Sequence, residues 1–223
     1  MKTTSSISSI IRAKFLALAR RIRPFPGSEE YWKQRYKAGG TSGDGSYNRL
    51  AEFKAEVLNS FVSNNKIQTV IEYGCGDGNQ LKLATYPSYI GFDISAEAIS
   101  QCEVLFSDDA TKTFNLNQDY AGQSAQLTLS LDVIYHLIED DVFSAYMKRL
   151  FDSSSEFVII YSSDTDKQNS KQAPHVKHRM FSKWVEENRL EWQLCRYIPN
   201  KYPITSDGQS GSFSDFYIYK KPQ

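Results

Sequence analysis

The sequence predicts an α/β chain: a doubly wound, mostly parallel sheet of seven strands, closed by an antiparallel C-terminal hairpin. Three observations lead there. Strand-like and helix-like stretches alternate over residues 67–161. The first strand feeds a turn with glycine at alternate positions, Gly74, Gly76 and Gly78. Residues 157–161 form an unbroken apolar run, as a central parallel strand buried on both faces should. The chain's 223 residues suffice for one such domain with modest additions. With 40% hydrophobic and 23% charged residues, a packed core is expected rather than disorder.

Taken in order, residues 1–27 come first. They hold Lys2, Arg12, Lys14, Arg20, Arg21 and Arg23 and no acid. The whole chain balances 26 basic against 26 acidic residues, so residues 28–223 are net acidic. Ile7, Ile10, Ile11, Phe15 and Leu18 lie at helical spacing. Arg12 and Lys14 interrupt what would be the apolar core of a secretory signal. Three readings stay open for this amphipathic segment: a partner-packing helix, a membrane-surface helix or an organellar transit peptide. Pro24 and Pro26-Gly27 end it.

Residues 31–45 read as a short helix and then a glycine-rich loop. A long amphipathic helix is expected from Ser46 to about residue 65, with Leu50, Phe53, Val57 and Phe61 on one face. Residues 28–65 are thus expected to be a helical cap on a core of residues 66–223. In that core, residues 67–73 are a β-branched strand, and 79–84 a short helix. Residues 89–92 form a second strand ending at Asp93. Ser95 can cap the next helix, with Glu97 in its first turn. Residues 111–116 are a weaker strand. Leu127, Leu129 and Leu131 alternate with polar residues in the fourth. Acids 139–141 open a helix whose stripe is Phe143, Tyr146, Met147 and Leu150. Residues 181–187 look helical; 192–198 and 212–219 look like the closing strands.

Composition narrows the function. A binder relying on overall positive charge is disfavoured, and the acidic balance of 28–223 argues against nucleic acid as partner. No apolar run approaches the length of a membrane span. Cys75, Cys102 and Cys195 are too few for a disulfide framework and fit a reducing cytoplasm. A cytoplasmic protein is expected, with peripheral contact to the inner face of the membrane through residues 1–27 as one option.

The glycine turn lets a ligand approach the backbone closely. Asp93 ends the second strand, where a carboxylate can accept both hydroxyls of a ribose. A nucleoside-containing cofactor follows. The dinucleotide fingerprint wants glycine where Asn79 stands, and no Gly-Lys-Ser/Thr follows for a phosphate-binding loop. Glu72 would repel a pyrophosphate but suits a cationic ligand. S-adenosylmethionine carries a sulfonium and an ammonium and no phosphate.

The segments E-x-G-C-G-D-G, G-F-D-I-S and L-S-L-D-V-I-Y-H-L together resemble the class I S-adenosylmethionine-dependent methyltransferases. The resemblance implies the Rossmann-like methyltransferase fold. It also implies a cofactor site that includes Glu72, Gly74, Cys75, Gly76, Asp77, Asn79, Gln80, Asp93, Ile94, Asp132 and Val133. The third segment is similar to one in quinone and small-molecule O-methyltransferases, but has Tyr135 where they have Glu. No metal is carried over. The motif Y-W-x-x-R-Y-x-x-G-G-x-S-G-x-G-S-Y looks like a narrower group of bacterial methyltransferases associated with surface-polysaccharide genes. By that resemblance Tyr31, Arg35 and Ser46 close over the cofactor, with Arg35 facing its carboxylate.

A methyl transfer to oxygen needs a proton removed, so a histidine base is expected. His136 follows the fourth strand, and His175 lies on the loop after the fifth. Tyr135 and Arg179 are candidates to touch the acceptor, Arg179 suiting an anionic one. The expected activity is methylation of an oxygen on a small-molecule or glycan acceptor. N-methylation of an amino sugar or metabolite, an inactive cofactor-binding scaffold and a nicotinamide dehydrogenase are the alternatives. Nothing in the sequence names the oligomeric state.

Overall fold

The computed structural model describes residues 25–170, 172–204 and 211–222. Apart from its last three residues, the basic segment 1–27 lies outside them. The first helix, α1, is Ser28–Lys37. Glu29 and Glu30 stand in its first turn and Arg35 and Lys37 in its last, each complementing the helix dipole. A 3-10 turn, Asp44–Ser46, leads to an extended Tyr47 (φ −132°, ψ 158°) and then to α2, Asn48–Asn64. The long helix therefore starts two residues later than its sequence pattern suggests, because the 3-10 turn takes up Ser46. Its buried face holds Leu50, Phe53, Leu58, Phe61 and Val62, with Val57 only half-buried. Lys54 sits within that apolar face and is fully buried.

Five parallel strands follow: β1 (Val70–Tyr73), β2 (Tyr89–Asp93), β3 (Lys112–Leu116), β4 (Ala125–Leu131) and β5 (Ser154–Ser162). The last two are β6 (Gln193–Ile198) and β7 (Asp215–Lys220). The sheet order is β3-β2-β1-β4-β5-β7-β6. β7 runs antiparallel to both β5 and β6, so the C-terminal pair closes the sheet as expected, with β7 inserted beside β5 and β6 at the edge. Strand order reverses between β1 and β4, the point at which open α/β sheets make a crevice.

Three more helices flank the sheet: α3 (Ala96–Leu105), α4 (Asp140–Asp152) and α5 (Phe181–Asn188). The Ser95 side chain accepts from the Ala98 N–H and caps α3, with Glu97 behind it. α4 buries Phe143, Met147 and Leu150, joined by Phe151. Tyr146 is half-buried and turns its hydroxyl to the Tyr73 carbonyl and Ser130 Oγ. β4 is buried on both faces rather than on one. Its polar positions are satisfied internally: the Thr128 hydroxyl donates to the Leu150 carbonyl, and Ser130 accepts from Tyr146. The stretch after the glycine turn is a 3-10 turn, Gln80–Leu83, instead of an α-helix. Among the described residues no helix is long and apolar enough to cross a membrane.

Candidate functional site

The carboxyl ends of β1, β2, β3 and β4 open into one cavity of about 400 Å³. That is within the usual size of a small-ligand site. Its floor is made by the glycine turn. Gly74 adopts φ +84°, and a Cβ there would stand 2.5 Å from Val133 Cγ2. Gly76 adopts φ +59°, and a Cβ there would collide with Ser42 Oγ and the Tyr36 hydroxyl. Any side chain at either position would thus push away β4 or the cap.

Two carboxylates beside the turn are almost fully buried. Glu72 Oε2 accepts from the Tyr89 hydroxyl at 2.8 Å. Burial pushes the Glu72 carboxyl up to about 7, although the Tyr89 hydroxyl and the Lys54 charge pull the other way. Asp93 accepts the Gly76 N–H at 3.0 Å on one oxygen and the Ser95 N–H at 2.9 Å on the other. Burial raises its carboxyl, and those N–H groups oppose the rise. A third acid, Asp132, ends β4 in left-handed backbone (φ +59°) and pairs with Lys54 Nζ at 2.8 Å. The floor thus carries three carboxyl groups and one ammonium.

The stretch between α1 and α2 is tied to this floor by Asp77. Its carboxylate accepts from the Ser42 N–H at 2.9 Å, the Tyr47 hydroxyl at 2.8 Å and the Asn79 N–H at 3.1 Å. Burial works against ionisation, but these bonds hold Asp77 below the usual carboxylate range. Asn79 Nδ2 adds a bond to the Ser46 carbonyl at 2.6 Å. At the other end of the cap, Ser28 gives its N–H and its hydroxyl to the two Glu139 oxygens.

His136 lies in the 3-10 turn Ile134–His136 after β4 and lines the cavity. Its Nδ1 is 2.8 Å from the His175 carbonyl oxygen. A carbonyl can only accept, so Nδ1 carries the hydrogen and Nε2 keeps the lone pair. Burial drops the imidazole to about 4, outweighing the bond to His175. The ring is neutral at physiological pH. Trp32 meets it edge-on with centroids 4.8 Å apart.

Of the residues singled out from sequence, Ser46, Glu72, Gly74, Cys75, Gly76, Gln80, Asp93, Ile94, Asp132, Val133 and His136 line the cavity. The others stand behind its wall. Tyr31 stacks on His175 at 4.5 Å, and His175 backs His136. Arg35 donates to the Thr41 carbonyl and lies over Trp32. Asp77 and Asn79 latch the cap. Tyr135 donates to Asp132 Oδ1 at 3.0 Å. Arg179 is bonded to Asp140 and to the Leu137 and Ile138 carbonyls, and crosses Phe143. These contacts commit its guanidinium to the protein itself.

The wall also includes Trp32, Tyr36, Ser42, Lys54, Tyr146 and Arg149, which sequence reasoning did not single out for the site. Lys54 had a readable signal: it falls one turn after Leu50 and one turn before Leu58, inside an apolar stripe. Among the described residues no group of three or more His, Cys, Asp or Glu is arranged to hold a metal.

No protein-family model and no curated protein matches the sequence. Solved structures do. The N-methyltransferase NodS from Bradyrhizobium japonicum WM9, in complex with S-adenosyl-L-homocysteine, aligns with TM-score 0.65 and 13% identity. The alignment covers 88% of this chain and 100% of that one. Magnesium protoporphyrin IX methyltransferase (ChlM) from Synechocystis PCC 6803, with bound S-adenosyl-L-homocysteine, aligns with TM-score 0.60 and 16% identity over 96% of this chain and 100% of its own. The methyltransferase domain of bacterial CtHen1-C gives TM-score 0.60 and 16% identity over 76% of this chain and 97% of that one. With its strand order, its antiparallel last strand and these likenesses, the chain has the Rossmann-like methyltransferase fold.

Proposed function

We propose that this chain is an S-adenosylmethionine-dependent methyltransferase acting on an oxygen of a small-molecule or glycan acceptor. The observation that carries the cofactor is the acid-rich floor beside a bare glycine turn. Glu72, Asp93 and Asp132 gather at the turn, and among them only Asp132 is paired with a cation, Lys54; this favours a cationic ligand and disfavours a pyrophosphate. The residues fit the group in two further ways. Gly74 and Gly76 leave a cradle that a Cβ would spoil. Gln80 Oε1 is buried on the cavity wall without a hydrogen-bond partner.

When bound, the cofactor supplies a methyl group already activated on a sulfonium. The chain's part is alignment and proton handling. Asp93 would hold the ribose, and the glycine turn would border the cofactor. Residues 28–65 act as the cap that excludes water over the core of 66–223. His136, neutral and with Nε2 unprotonated, takes the acceptor's proton. His175 fixes the tautomer through its carbonyl. The acidic balance of 28–223 supports a small-molecule or glycan acceptor over nucleic acid, and the resemblance of the cap motif supports a glycan.

Asp93→Ala is expected to weaken binding of S-adenosyl-L-homocysteine about tenfold or more, as loss of charge-assisted hydrogen bonds should. Calorimetry with S-adenosylmethionine, its demethylated product and NAD checks this. Saturable NAD binding, with no heat from either sulfur compound, overturns the cofactor. Residues 1–27 carry a charge unlike the rest of the chain and end at Pro24 and Pro26, so they should be dispensable for cofactor binding. Deleting them should leave cofactor affinity unchanged, and flotation of the full chain but not of the deletion with anionic liposomes at low salt selects the membrane-surface reading over a partner-packing helix. Loss of cofactor affinity in the still-folded deletion makes the segment part of the binding domain.

A further inference from the structure

Lys54 is the most completely buried charge in the cavity wall, and no step above uses it. It comes from α2, 78 positions before its partner Asp132. The partner is a hub. Asp132 Oδ2 takes Lys54 Nζ at 2.8 Å. Asp132 Oδ1 takes the Tyr135 hydroxyl at 3.0 Å and Ser214 Oγ at 2.9 Å, the latter from 82 positions away. One carboxylate thus joins the cap helix, the approach to β7 and the short turn that carries His136. It does so from left-handed backbone, which aspartate adopts more readily than most non-glycine residues.

A buried ion pair is weak evidence for stability, since apolar residues of the same volume often do as well. What such a pair can give is one arrangement among several. Here the arrangement concerns His136. Its turn is held on one side by backbone, through Lys177 N–H to the Tyr135 carbonyl and by the His136 ring on the His175 carbonyl. On the other side the Tyr135 hydroxyl reaches Asp132. Asp132 keeps its place because Lys54, fully buried on α2, pairs with it at 2.8 Å.

We propose that Lys54 and Asp132 are positioning residues for the reacting side of the cavity: Lys54 holds Asp132, and Asp132, through the Tyr135 hydroxyl, holds the turn that presents His136. The inference rests on the methyltransferase reading for what His136 does, but the coupling is measurable without an acceptor.

The test uses the full chain, labelled with ¹⁵N in its three histidines. His136 in the wild type should give the signals of one neutral tautomer with hydrogen on Nδ1. In Lys54→Met those signals should shift or split into both tautomers. His178 keeps its bond to Ser163 Oγ and should hold one tautomer, with only small shifts from its ring contact with Tyr135. Tyr135→Phe removes one hydroxyl and leaves the ion pair intact, so it should fold even where Lys54→Met does not, and should move the same signals. A purely structural role for Lys54 would lower the melting temperature and leave the His136 signals in place; that result overturns the proposal. So does an unmoved His136 in Tyr135→Phe. A loss of about tenfold or more in S-adenosyl-L-homocysteine affinity in Lys54→Met with unmoved His136 signals also overturns it, making Lys54 a direct ligand contact. Failure of the wild-type chain to bind that compound sinks the methyltransferase reading, and leaves the coupling to be judged by the ring signals alone.

Discussion

His136→Ala is expected to lower methyl transfer to an alcohol acceptor by about 10²-fold or more, the usual loss on removing a general base. Cofactor affinity should stay close to wild type. The geometry separates the two readouts. Asp93, Glu72 and the glycine turn are held by Ser95, Tyr89 and backbone, and none of them is bonded to the imidazole. The ring is instead bonded to the loop after β5, through the His175 carbonyl. That bond fixes the tautomer, so the lone pair sits on the nitrogen free of it. Burial keeps the ring neutral down to about pH 4, so His136 itself should add no limb near the ordinary histidine value of 6.5 to the rate profile. His175→Ala is the informative comparison. The wild-type bond is to its backbone carbonyl, which the substitution retains, so a modest loss is expected, through the lost stack on Tyr31. Collapse in the His175 variant with near-normal turnover in the His136 variant moves the base to the loop. If neither loses rate, the acceptor atom needs no base, and N-methylation becomes the better reading.

The sheet and its glycine turn were legible because their signals are local. A β-branched strand, glycines that need positive φ, and an acid at the end of the next strand all lie within residues 67–93. Boundaries were less so: Ser46 belongs to a 3-10 turn, and the stretch after Gly78 winds as 3-10 rather than α. The cavity lining was legible where residues end or follow strands, as Asp93, Asp132 and His136 do. It was not legible where long-range pairing decides a role. Arg179 has the chemistry for an anionic acceptor, yet Asp140 and two carbonyls 41 and 42 positions away take its guanidinium. Arg35 likewise turns to Thr41 and Trp32. Lys54 was hidden for the opposite reason. Its partner is supplied by a strand end 78 positions on, and only folding shows that a lysine in an apolar stripe is neutralised there.

The apo protein should show little pH dependence of stability from Glu72 and His136 together between pH 4.5 and 6.5, and single substitutions should uncover a large one. Glu72 has its carboxyl raised from 4.5 to about 7 by burial. Between those values the folded chain holds a proton that the unfolded chain has lost. Its contribution is therefore fully present below 4.5 and lost as pH rises through 7. His136 has the reverse sense, lowered from 6.5 to about 4. Between those values the unfolded chain binds the extra proton, so its contribution is present above 6.5 and lost as pH falls through 4. Each shift corresponds to about 3 kcal/mol at ~1.4 kcal/mol per unit. The slopes oppose one another over the shared window. Glu72→Gln keeps an acceptor for the Tyr89 hydroxyl but cannot titrate. Relative to wild type it should gain about 3 kcal/mol in unfolding free energy as pH rises from 4.5 to 7. His136→Asn should change in the opposite direction, losing a similar amount relative to wild type between pH 4 and 6.5. Urea unfolding at half-unit pH steps measures both, and referring each variant to wild type removes the other titrating groups. A difference between Glu72→Gln and wild type that is flat from pH 4.5 to 7 means that the buried carboxyl ionises normally. The cavity floor would then be wetter than its burial implies, and Glu72 would already be anionic in the empty site at neutral pH.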